Sequence, residues 1–177
     1  MADTAAARRY AQAAFSIARD RGEVAAWRSD VSDMATVLAE SELAPMFADP
    51  AIPADQKFRV LERVLEVSPL VMNLAKLLIQ KGRSQDARAV ADAFNRLADD
   101  YEGIAHAEVT TAVPLTEEQL ASIRARLGQQ LGKQVVATSR VDPGIIGGAI
   151  VRVGDRLIDG SVRTRLKLLR RELEGAR

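Results

Sequence analysis

The residues best suited to chemistry in this 177-residue chain gather near its C-terminus. Gly144, Gly147 and Gly148 form a glycine-rich run that could cradle a phosphate, and Asp142, Asp155 and Asp159 could form an acid/base set. A phosphate loop needs its glycine turn to open onto a helix N-terminus, where backbone N–H groups meet the anion. Here the glycines lead instead into Ala149 to Val153, a strand pattern, and neither GxGxxG nor GK[ST] occurs. Each aspartate stands beside Gly or Pro, where Asp caps its own backbone at a turn. His106 is the only histidine and no carboxylate or thiol motif surrounds it. A metal site needs several convergent donors. We therefore expect no catalytic residue, metal or cofactor. Asp142, Gly147, Gly148, Gly154, Asp159 and Gly160 read as turn or close-approach positions.

Composition narrows the alternatives. With 25 Lys and Arg against 24 Asp and Glu, the chain has no overall bias toward nucleic acid or anionic lipid. The absence of cysteine excludes disulfides and thiolate metal sites. No apolar run approaches the roughly 20 residues that span a bilayer, and the N-terminus lacks the apolar core of a signal peptide. The expectation is a protein soluble by itself, reaching a membrane only through partners.

Two textures follow one another along the chain. Tyr10, Ala13, Ala14, Ile17 and Ala18 recur at helical spacing before Gly22. Val24, Trp27, Val31, Met34, Ala35 and Leu38 make a second stripe, with Trp27 expected in the core. A short helix around Leu43 to Phe47 follows, then one from about Ala54 presenting Phe58, Leu61, Val64 and Leu65. Ser68 and Pro69 look like an N-cap and first helical position. That helix runs to about Lys81, and Ser84 is a candidate cap for the next, which carries Ala87, Val90, Ala91, Phe94, Leu97, Ala98 and Tyr101. Six helices with short connections imply an all-α six-helix bundle over residues 1–104.

From about residue 105 the pattern becomes α+β. Ala107 to Val113, Val135 to Val141 and Ile145 to Val153 read as strands, with a short one at Leu157 and Ile158. Thr116 and Gln119 have capping-box spacing before a helix showing Leu120, Ile123, Leu127 and Leu131. A last helix places Val162, Leu166, Leu169 and Leu173 on the face expected to point inward. Its Arg163, Arg165, Lys167, Arg170 and Arg171, set against Glu172 and Glu174, complement the C-terminal end of the helix dipole or meet an acidic partner helix. Residues 105–177 are thus expected to form a small α+β domain.

The segment Leu70 to Gln80 is unusually apolar. Only Asn73, Lys76 and Gln80 are polar, and they fall in one narrow sector, so apolar side chains cover most of the circumference. A surface helix normally shows a single stripe. A bundle of about 100 residues cannot easily enclose such a helix completely. A second apolar face is therefore expected to receive a partner helix, beside the small residues of the first helix.

Taken together, these residues resemble the delta-subunit family of bacterial F-type ATP synthase, the counterpart of the mitochondrial oligomycin-sensitivity-conferring protein. The likeness covers essentially the full length. Asp142, Ile145, Gly147, Gly148, Val151, Arg152 and Gly154 match the family signature, and Ile158 to Arg163 continue it. Tyr10 to Ala18 is similar to the family's Tyr-Ala-x-Ala-x-Phe segment, and Gly82 and Arg83 agree as well. The chain departs at Ala137, where the pattern prefers a larger apolar residue, and at Ala14, where many members have Leu.

The resemblance implies a non-catalytic stator subunit of the peripheral stalk, resisting rotor torque so that proton flow drives ATP synthesis. It implies that the first domain binds the N-terminal helix of an alpha subunit between the first and fifth helices, through Tyr10, Ala13, Ala14, Ile17, Leu70, Leu74, Leu77 and Leu78. The second domain would hold the b subunits, for which the basic face of Arg163, Lys167, Arg170 and Arg171 is the candidate. One copy per complex, at the cytoplasmic face of the bacterial inner membrane, follows from the same likeness. The rival readings are an enzyme, a nucleic-acid adaptor, and a generic helical-bundle adaptor for an amphipathic helix.

Overall fold

The computed structural model describes residues 5–154 and 156–175, the side chains of residues 172 and 174 excepted. Asp155 and the side chains of Glu172 and Glu174 lie outside the described residues. The chain divides into two compact units between Asp99 and Asp100. That point falls in the last turns of a helix that itself ends at Glu102, before Gly103.

Unit 1 is the all-α bundle expected from the periodicity. It comprises α1 (Ala5–Arg21), α2 (Val24–Ala35), α3 (Ala44–Ala48), α4 (Ala54–Val64), α5 (Pro69–Gln80) and most of α6 (Ala87–Glu102). Buried Ala7, Ala11, Ala14 and Ala18 give α1 a flat inner stripe against which neighbouring backbone can close. Trp27 and Phe94 stack at 6.4 Å, and Phe15 meets Phe94 edge-on at 6.0 Å, so the aromatic centre joins α1, α2 and α6. After Ala35, α2 widens into a π turn, Thr36–Glu40, and Leu38 remains fully buried. Lys57, only 6% exposed, donates from Nζ to the Asp49 carbonyl at 2.6 Å and ties α4 to the end of α3.

Local structure differs from expectation at three places, two of them caps. Ser68 does precede α5, but its hydroxyl makes no cap bond; its backbone N–H instead donates to Asp30 Oδ2 at 2.9 Å. Ser84 opens a 3₁₀ turn rather than α6 itself, and its hydroxyl is likewise buried without a partner. Val64 on α4 turns outward, 44% exposed.

Unit 2 holds β1 (Ile104–Thr111), α7 (Glu117–Leu131), β2 (Gln134–Val141), β3 (Ala149–Val153), β4 (Arg156–Asp159) and α8 (Val162–Gly175). The sheet order is β2-β1-β3-β4; β1 and β2 are parallel, and the other pairings antiparallel. A parallel pair needs a crossover, and α7 supplies it, packing against β2. Thr116 and Gln119 close the capping box reciprocally, at 3.3 and 3.0 Å. Gly132 ends α7 in the left-handed region that glycine favours. The core is small: Ala107, Leu127 and Val135 are buried, with Ile123, Leu131, Ala137, Val151 and Val153 packed around them.

Two expectations change here. The stretch from Ile145 to Gly148 is not strand: Pro143–Ile145 form a 3₁₀ turn, and β3 begins only at Ala149. The supposed inner face of α8 is solvent-facing, with Val162 38%, Leu166 53%, Leu169 52% and Leu173 67% exposed. Among the described residues the small core of the unit is built from α7 and strands β1 to β3, and none of these four residues belongs to it.

Candidate functional site

The glycine and aspartate cluster serves backbone geometry. Asp142 Oδ1 accepts from the Gly144 N–H at 2.9 Å, opening the 3₁₀ turn. Gly148 has φ +80° and packs against the Gly160 backbone, while the Gly160 N–H donates to the Ala149 carbonyl at 2.9 Å. Val162 N–H then donates to the Gly147 carbonyl, also at 2.9 Å, so the loop before β3 and the start of α8 are stitched together. Asp159 Oδ1 accepts from Ser161 N–H at 2.9 Å and Oδ2 from the Thr164 hydroxyl at 2.7 Å. The Ser161 bonds first, and Thr164 next, hold the Asp159 carboxyl below the usual carboxylate range. Ser161 Oγ in turn accepts from the Thr164 N–H at 3.2 Å, an N-cap interaction. These carboxylates are occupied by backbone and hydroxyl donors, with no geometry for shared proton transfer.

His106 lies on the outer face of the sheet. It lines an open depression of about 160 Å³ with Glu108, Val136, Thr138, Arg152 and Gly154. The β1–β3 register sets Arg152 opposite Glu108, and Arg140 Nη1 comes within 3.9 Å of the Glu108 carboxylate. Sequence spacing did not announce this grouping, because only strand pairing joins residues so far apart. Among the described residues, no group of three or more His, Asp or Glu side chains converges as a metal site.

The apolar surfaces are more telling. On α5, Val71, Ala75, Leu78 and Ile79 are buried, whereas Leu70 and Leu74 are half-buried and Leu77 is 38% exposed. The spacing of Leu70, Leu74 and Leu77 places them on one side of the helix, between its core face and the polar sector of Asn73, Lys76 and Gln80. On α1, Tyr10 is half-buried, Ala13 exposed and Ile17 42% exposed, again on one side. Ala14 and Leu78, at 4% and 0%, belong instead to the interior: the helical phase that turns Ala13 and Leu77 outward turns their neighbours in. Both helices pack on α2. Tyr10 shares a depression of about 270 Å³ with Ala6, Arg9 and Arg83, so the first half of α1 lies beside the loop that follows α5.

In unit 2, Val162, Leu166, Leu169 and Leu173 form the exposed stripe of α8. Arg163, Lys167, Arg170 and Arg171, all exposed, run along one flank of it. Arg163 Nη1 reaches the Gly144 carbonyl at 3.5 Å. The hydrophobic component of this surface was missed because the stripe has the periodicity of a core face; only its lack of cover distinguishes it.

Comparison with known proteins completes the assignment. The profile of the family described as ATP synthase delta (OSCP) subunit matches residues 6–173. An ATP synthase subunit delta from Dehalococcoides mccartyi is 36% identical over 173 residues, covering 98% of this chain and 96% of the relative. Its counterpart from Symbiobacterium thermophilum is 39% identical over 179 residues, covering 99% and 96%. A chain of the Toxoplasma gondii mitochondrial ATP synthase hexamer superposes with a TM-score of 0.69 at 27% identity, covering 96% of this chain and 98% of that one. The chain belongs to the ATP synthase delta (OSCP) subunit family, and is a non-catalytic peripheral-stalk subunit of F-type ATP synthase.

Proposed function

We propose that unit 1, residues 1–104 in the division read from sequence, receives the N-terminal helix of an alpha subunit across the outer sides of α1 and α5. Tyr10, Ala13, Ile17, Leu70, Leu74 and Leu77 make the contact, and Ala14 and Leu78 support it from the interior. The observation that carries this reading is the incomplete burial of two same-sided apolar rows on helices that share α2 as a neighbour. An amphipathic helix laid on such rows gains roughly 1.5–3 kcal/mol for each large side chain that it takes fully out of water.

Unit 2, residues 105–177 in that same division, holds the C-terminal end of the membrane-anchored b subunits on α8. The stripe from Val162 to Leu173 supplies area, while Arg163, Lys167, Arg170 and Arg171 select an acidic flank. Among the described residues no helix is long and apolar enough to cross a membrane. The subunit is then peripheral, at the cytoplasmic face of the bacterial inner membrane through b, with one copy in each complex. Gripping the head at one end and the stalk at the other, it opposes the reaction torque that the rotor imposes on the head.

Calorimetric titration of the full chain with a peptide of its own alpha subunit's N-terminal helix tests the first contact. Saturable binding that is weakened by Ile17→Asp is expected. No binding at micromolar concentrations, or binding unmoved by Ile17→Asp, would remove this assignment.

A further inference from the structure

Ile146 is the one described residue other than glycine with a positive φ, at φ 69° and ψ −43°. The Gly147 N–H donates to the Ile145 carbonyl at 2.8 Å, closing a three-residue γ-turn of the rarer, strained hand. A β-branched side chain is the least suited to this conformation. Nor does burial explain it, because Ile146 is 67% exposed while the adjacent Ile145 is 4% exposed and anchors the turn. A glycine would adopt the same backbone without strain.

The turn is held from several sides. The Asp142 carboxylate caps Gly144, Val162 N–H donates to Gly147, and Arg163 reaches Gly144. These bonds fasten it to the first turn of α8, where the exposed stripe begins. Strain at a rigid, over-determined position points to a role for the displayed side chain. A rigid apolar knob also loses little freedom on contact.

We propose that Ile146 is a partner-contact residue: the strained turn displays it as the terminal knob of the α8 stripe, and one amphipathic helix with an acidic flank covers both. The basic flank of α8 selects that occupant by charge. This rests on the reading that unit 2 receives the b subunits, and it adds a specific residue outside α8.

The test uses the full-length chain and the soluble dimeric part of its own b subunit, without the membrane segment, in calorimetry at fixed low salt. Ile146→Gly and Ile146→Asn are expected to unfold no more readily than the parent by circular dichroism, yet to bind b at least about tenfold more weakly. Ile146→Leu should retain most of the affinity. Unchanged affinity in the Gly and Asn variants would overturn the proposal, as would a fall in their stability, since the isoleucine would then serve the fold. A concentration-dependent dimer of the chain lost in these variants would also overturn it, in favour of a second copy as the occupant. Leu169→Asp separates the two readings. If it weakens binding while Ile146→Gly does not, the knob fails but the α8 site stands. If the parent chain does not bind b, both fail.

Discussion

Gly148 and Gly160 meet backbone to backbone: a Cβ at Gly148 would stand 2.5 Å from the Gly160 carbonyl oxygen. Gly148 also has φ +80°. This contact aligns the start of β3 with the entry to α8, so the glycines that suggest phosphate chemistry in the sequence act as a hinge-pin of close packing. Gly148→Ala should destabilise unit 2 by at least about 2 kcal/mol, from the left-handed backbone and the overlap together. Gly154→Ala, with φ +55° and nothing within 4 Å of the added carbon, should cost only about 1–2 kcal/mol. Trp27 lies in unit 1, so amide hydrogen exchange in the sheet is the measurement. Equal losses would show that the Gly160 contact does not constrain Gly148.

Leu77 and Leu78 are adjacent in sequence and opposite in consequence. Leu78→Ala should cost about 2–5 kcal/mol in urea unfolding followed by Trp27 fluorescence, because it opens a cavity at a fully buried site. Leu77→Asp should change stability little, yet weaken binding of the alpha-subunit peptide by several kcal/mol if that contact is buried in the complex. A Leu77 variant that unfolds but still binds would contradict the outward assignment.

Lys57 should matter despite its charge. Lys57→Met keeps the aliphatic stem but removes the bond to the Asp49 carbonyl. Loss of this charge-assisted bond, with only the longer Ile52 N–H contact at 3.4 Å left on that carbonyl, should lower unit 1 stability by about 1–3 kcal/mol. Urea denaturation monitored through Trp27 would register the loss as a lower midpoint with unchanged slope.

Asp159 gives the entry to α8 an acid sensitivity. Its carboxyl lies below the unfolded value of about 3.9, chiefly through the Ser161 and Thr164 hydrogen bonds. A lowered folded-state pKa contributes stability above the unfolded pKa, and that contribution is lost as pH falls through the folded pKa. Helical ellipticity and amide exchange at Thr164 should therefore weaken only below about pH 4. Asp159→Asn should flatten that dependence while lowering stability at neutral pH. An unchanged acid profile would show that other carboxylates control it.

Local pattern determined much of this protein. Helical periodicity placed the six helices of unit 1, and the Thr116–Gln119 spacing marked the start of α7, because short-range hydrogen bonds and amphipathic phase are written in neighbouring residues. The surplus of apolar residues on α5 likewise showed that its apolar surface extends beyond one core row, and Leu70, Leu74 and Leu77 are the residues left incompletely buried. What sequence could not decide was which apolar residues have cover. Val162, Leu166, Leu169 and Leu173 have the phase of a core stripe, yet all are exposed and none joins the core that α7 forms with the sheet. Leu77 and Leu78 differ in polarity from neither each other nor the core; only the helix's rotation in the bundle separates them. The Gly148–Gly160 approach, the γ-turn at Ile146 and the grouping of Glu108 with Arg140 and Arg152 are equally invisible locally. Each depends on strand register and loop closure, which bring distant residues together and are set by the packing of the whole unit.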